Sequence, residues 1–109
     1  MIEAIVGSEG AERVLLFLTA RGSGHPREIA TCWSLDVSTV QNHLLRMERD
    51  GLLVSRKVGR TRVFEFIPRY LFVDEIKVLL TKALTQLPTD VLDRLTLQRA
   101  RPRRARKPL

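Results

Sequence analysis

The 109-residue chain has a single cysteine, Cys32. One thiol excludes a disulfide framework and any multi-cysteine zinc site built within one chain, and it suits a reducing compartment. No apolar run reaches the roughly 18 residues that a membrane-spanning helix needs. The opening segment MIEAIVGSEG has no basic region ahead of an apolar stretch, so no secretory signal is expected, and the cytoplasm is the expected compartment. Gly7, Gly10, Gly22 and Gly24 match no phosphate-cradling loop. His25 and His43 lie far apart with no nucleophile arrangement, and no paired carboxylates fall in a pocket pattern. An enzyme is therefore not expected.

Acid is also missing from one segment. Residues 99–109 hold Arg99, Arg101, Arg103, Arg104, Arg106 and Lys107 and no carboxylate, whereas the other 13 basic side chains are nearly balanced by 12 acids. The formal charge of +7 and pI near 10.7 point to a polyanionic partner. Almost all of that charge sits in the tail, so any nucleic-acid role for residues 1–98 must rest on local geometry. The tail has two prolines and no apolar periodicity, so it is expected to be disordered.

The apolar content of 44% suits a globular domain. Residues 8–21 read as a first helix, with Ser8 as N-cap, Glu9 and Glu12 in the first turn, and an apolar face of Ala11, Val14, Leu15 and Leu18 widened by Leu16 and Phe17. Gly22-Ser23-Gly24 ends it. His25-Pro26 opens a second helix running to Trp33, with Ile29, Ala30 and Trp33 as its stripe. After a short connection, Asp36 caps a third helix reaching Asp50, in which Val40, Leu44 and Met47 face inward and Gly51 is the stop.

The period then changes to two. Residues 52–56 and 63–66 read as a hairpin with a basic tip spanning Lys57 to Arg62. A long helix is expected over 71–87, about 25 Å at 1.5 Å per residue. Pro88 breaks it, and a short helix is expected over Thr89–Gln98. The fold class is thus mainly α with a small β-hairpin. Residues 1–98 form one domain, followed by the basic tail 99–109.

A short turn between the second and third helices is a helix-turn-helix, and a hairpin directly after it is a wing. The chain carries L-D-x-S-T-V-x-x-H-L from Leu35, L-x-x-M-E-x-D-G-L-L from Leu44, and G-R-x-R-V-F-E-F from Gly59. On these motifs, residues 11–87 resemble the winged helix-turn-helix domains of ArsR-like bacterial and archaeal transcription regulators. Adjacent families, including MarR-like ones, share the wing and the D-G-L-L turn.

The resemblance implies a sequence-specific DNA-binding regulator, a repressor with helix 37–50 in the major groove. The outer face of that helix offers Val37, Ser38, Thr39, Gln41, Asn42 and Arg46. Gln41 and Asn42 have the amide geometry that pairs bidentately with adenine, and Val37 suits a thymine methyl. Ser38 and Thr39 can bond phosphates or bases, and Arg46 suits a phosphate. Arg56, Lys57, Arg60 and Arg62 form the wing, expected on the backbone or in the minor groove. Arg27 is expected at the backbone, and His43 as a structural or phosphate-bonding residue.

Metal-sensing members of the resembled family carry paired cysteines near the second helix or His/Asp pairs on the last. Here Cys32 stands alone, and the last long helix has Asp74 and Glu75 but no histidine. No metal and no cofactor are expected, and Cys32 reads as a core residue. A homodimer is expected through the first and last long helices, using Val14, Phe17, Val73, Ile76, Leu80, Ala83, Leu84 and Leu87, with the two copies reading a palindrome. Two other readings stay open. One is a winged helix that binds protein, as in an antitoxin or assembly subunit. The other is nonspecific DNA binding driven by the tail.

Overall fold

The computed structural model describes residues 1–96. The expected tail 99–109 lies outside them. A short helix α1 (Glu3–Val6) precedes α2 (Glu9–Arg21), α3 (Pro26–Trp33) and α4 (Val37–Arg49). Strands β1 (Leu53–Val58) and β2 (Thr61–Phe66) follow, then α5 (Val73–Leu84). Residues 89–96 form a last helix, α6. The order is that of a winged helix-turn-helix.

Helices α2, α3 and α4 each start on a side chain that satisfies a free backbone N–H. Ser8 accepts from the Ala11 N–H at 3.1 Å, and Asp36 accepts from the Thr39 N–H at 3.2 Å. At α3 the cap is a histidine. His25 Nδ1 accepts from the Glu28 N–H at 3.2 Å, and Glu28 Oε1 accepts from the His25 N–H at 3.3 Å. This is a capping box with imidazole in place of a hydroxyl. Asp50 closes α4, and Gly51 follows at φ 90°, the left-handed geometry that favours glycine.

The hairpin is longer and its turn tighter than the alternation of residues predicts. Lys57 pairs with Arg62 and Val58 with Thr61, leaving only Gly59-Arg60 as the loop. Gly59 takes φ 65°, and Arg60 is not among the positive-φ residues, the pattern of a II′ turn that calls for glycine first. A third short segment joins the pair. Gly24 donates to the Phe64 carbonyl at 3.0 Å and accepts from its N–H at 2.8 Å. A Cβ at Gly24 would stand 2.5 Å from Phe17 Cε1, so only glycine lets the backbone come this close.

The long helix expected over 71–87 is shorter, at 12 residues. The N–H groups of Thr85, Gln86 and Leu87 bond three residues back, to Lys82, Ala83 and Leu84, so the last turn tightens and ends ahead of Pro88.

The core is built around α2, which packs against α1, α3, α4, α5 and β2. This bears on part of the expected dimer surface. Val14, Phe17 and Leu80 are fully buried within the single chain, and Val73 and Ala83 nearly so. Ile76, Leu84 and Leu87 are partly buried against the same core. The apolar girth of α2 reads as needing a second copy, but the chain's own helices and wing cover it. Among the described residues, no helix is long and apolar enough to cross a membrane.

Candidate nucleic-acid interface

The N-terminal half of α4, the start of α3 and the tip of the wing enclose one open groove. Arg27, Val37, Gln41, Arg60 and Arg62 line it, together with Leu45. The sequence scatters these residues over three elements. The helix-turn-helix sets α3 and α4 side by side, and the Gly24–Phe64 bridge ties the hairpin to the turn before α3. Phe64, itself buried, forms part of the groove floor.

Gln41, Asn42, Ser38 and Thr39 are exposed, as a reading face requires. The Thr39 hydroxyl lies 3.5 Å from Asp36 Oδ2, within the cap of its own helix. Arg46, one turn beyond Asn42 on α4, lines an apolar cavity shared with Ile5, Leu52 and Tyr70.

The four wing cations divide by face. Cross-strand partners point to the same side of a hairpin, so Lys57 and Arg62 share the side of buried Leu53, Phe64 and Phe66. Arg62 donates to Ser55 Oγ at 3.0 Å, and Ser55 Oγ donates to Glu48 Oε2 at 2.6 Å. That chain of bonds couples the wing to α4. Arg56 points to the opposite side and pairs with Glu65 at 3.0 Å. Its charge is thus already matched, whereas among the described residues Arg27, Lys57 and Arg60 have no ion pair.

Two further exposed residues lie near these on α4. Leu45 is 43% exposed on α4 and lines the groove. Arg49 is exposed seven residues beyond Asn42, two helical turns along the same stripe. The signal for both was present in the i+3, i+4 and i+7 spacing from Gln41 and Asn42.

His43 is half-buried where α4 crosses α2. A Cβ on Gly10 would meet its Nε2 at 2.8 Å, so α2 touches the imidazole directly. Burial, and then the Arg46 charge, hold its pKa below the ordinary 6.5. The folded state therefore resists protonation while the unfolded chain accepts it. Stability is complete above about pH 6.5 and falls as pH drops through the lowered folded value. The urea midpoint of the wild type is expected to fall between pH 7.5 and 5.5 by more than that of His43→Gln. Parallel falls in the two proteins would remove His43 as the cause.

Cys32 is buried, and desolvation raises its thiol pKa, which disfavours the reactive thiolate. Among the described residues no cluster of His, Cys, Asp and Glu is placed to hold a metal ion.

No protein-family model matches the chain, and no curated protein matches it in sequence. Solved structures do. A probable transcriptional regulator from Pseudomonas aeruginosa superposes with a TM-score of 0.59 over 95% of this chain and 80% of its own, at 16% identity. MepR, a transcription regulator of the Staphylococcus aureus multidrug efflux pump MepA, gives 0.57 over 95% of this chain and 83% of its own, at 15% identity. The apo form of a mutant Lactococcus lactis ZitR gives 0.55 at 16% identity over 72% of this chain, which spans 62% of that protein's length. What is shared is the fold. All three carry the winged helix-turn-helix.

Proposed function

We propose that this chain is a sequence-specific DNA-binding transcription regulator of the ArsR-like kind. It acts in the cytoplasm as a dimeric repressor that occupies a palindromic promoter site. One observation carries this reading: a single open groove gathers an amide, Gln41, with cations from α3 and the wing, Arg27 and Arg60, that have no ion pair among the described residues. A helix presenting amides reads base edges, and cations at its rim neutralise phosphates. The transcription regulators among the structural neighbours support the same reading. A single α4 covers one half-site, so a second copy is needed for two major-groove contacts about one helical turn apart.

In this reading, residues 1–98 recognise sequence and residues 99–109 add attraction without choice. The two contributions separate by salt. Replacing Arg27, Arg60 and Arg62 together by alanine is expected to weaken binding to every duplex. The salt dependence of affinity should become shallower by about 0.9 per lost phosphate contact, roughly 2.7 in all. Fluorescence anisotropy over a salt series measures this. An unchanged slope would place the phosphates elsewhere.

A further inference from the structure

The exposed side chains of α4 are polar apart from two. Val37 is 37% exposed and Leu45 is 43% exposed, among Ser38, Thr39, Gln41, Asn42, Arg46 and Arg49. The inner side of the helix is already filled by Val40, Leu44 and Met47, so the core does not call on either residue. A single exposed aliphatic side chain is ordinary on a protein surface. Here two of them line one groove, with Gln41 between them in sequence and Pro26 and buried Phe64 adding apolar surface. Arg27, Arg60 and Arg62 line the same groove, and no carboxylate does. Apolar surface flanked by cations fits an occupant with an anionic edge and small apolar groups facing inward. Duplex DNA offers both, in its phosphates and in the thymine 5-methyl that projects into the major groove.

Positions 37, 41 and 45 succeed one another at about one helical turn each, in the order aliphatic, amide, aliphatic. They span about 12 Å at 1.5 Å per residue, a length of roughly three to four base-pair steps. An aliphatic side chain gains by covering a methyl group. Against a cytosine amine or a guanine carbonyl it offers no hydrogen bond, and it leaves that polar group desolvated. Val37 and Leu45 therefore favour thymine and act against a G·C pair at the same position.

We infer that α4 reads methyl groups as well as hydrogen-bonding edges, and that its DNA site sets a thymine at Val37, an adenine at Gln41 and a second thymine at Leu45. This rests on the DNA-binding reading proposed above and names the class of sequence that the groove accepts. The site is A·T-rich and is recognised in the major groove through two 5-methyl groups. Those contacts carry no charge, so they add choice where the cations add only attraction.

Replacing thymine by deoxyuridine tests this, because it removes the 5-methyl alone and leaves base pairing and every hydrogen-bonding group in place. Duplexes selected by the full chain from a random-sequence library are remade with deoxyuridine at each thymine in turn, and both forms are titrated by fluorescence anisotropy. The selected duplexes are expected to share an A·T-rich half-site. Removing one contacted methyl is expected to weaken binding about fourfold, and removing both about 15-fold. The ratio is expected to hold constant over a salt series, since covering a methyl releases no counterions. Leu45→Ala is expected to bind the thymine duplex and the form lacking its methyl within about twofold of each other. Val37→Ala is expected to do the same at the other position. Circular dichroism confirms that both variants are folded. Selected duplexes bound equally well with thymine and with deoxyuridine overturn the inference and leave sequence-specific binding standing. So does a methyl dependence that survives the two alanine substitutions combined. A chain that selects no duplex removes the DNA-binding reading and this inference with it.

Discussion

Phe64→Ala is expected to destabilise the domain by about 3–5 kcal/mol, the range for truncating a large buried aromatic. A domain of this size has only about 5–15 kcal/mol in total, so the loss is a large share of its stability. Phe64 is 1% exposed and sits where three parts of the structure meet. Its side chain belongs to the core and the groove floor, while its backbone exchanges two hydrogen bonds with Gly24. The strand pairing is expected to survive truncation, and the packing that seats the wing is expected to be lost. Urea denaturation gives the stability loss. A loss under 1 kcal/mol would show that the wing is not anchored through this ring. Phe64→Leu keeps most of the volume and is expected to recover most of the stability.

The second large effect concerns recognition. Replacing both Gln41 and Asn42 by alanine is expected to lower affinity for the preferred site about 100-fold. Each bidentate amide contact with adenine contributes roughly 1–3 kcal/mol of discrimination. Affinity for unrelated DNA is expected to stay within about twofold, because that binding is carried by cations. Competition assays with specific and random duplexes measure the ratio. Retained preference in the double variant would show that α4 is not the reader.

Helices α2, α3 and α4 were legible because each starts at a residue that caps it and repeats its apolar side chains at helical spacing. Val40, Leu44 and Met47 are all buried, as that spacing predicts. The hairpin ends were less legible. Lys57, Val58, Thr61 and Arg62 show no apolar alternation, and they pair because a two-residue turn at Gly59-Arg60 brings them into register. The Gly24 bridge was invisible, since a contact with Phe64 across 40 positions leaves no local periodicity. So was α1, four residues long with no side-chain cap.

Val14, Phe17 and Leu80 leave the expected dimer surface for a physical reason, since all three are buried within the single chain. An all-round apolar helix such as α2 needs cover, but sequence does not say whether that cover comes from its own chain or another. Here its own helices and wing provide it. The groove's lining was legible by residue type and only partly by placement. Gln41, Val37, Arg27, Arg60 and Arg62 line one groove, while Arg56 is matched by Glu65 and Arg46 faces a different cavity. The face of a strand and the flank of a helix depend on register, which a list of basic residues does not carry.

The α4 groove is expected to choose DNA by sequence. The most direct measurement incubates the purified chain with sheared genomic DNA from its source at near-physiological salt and sequences the retained fragments. Enrichment of a few sites sharing an inverted repeat is the predicted result. Retention without enrichment, or no retention at all, would contradict it.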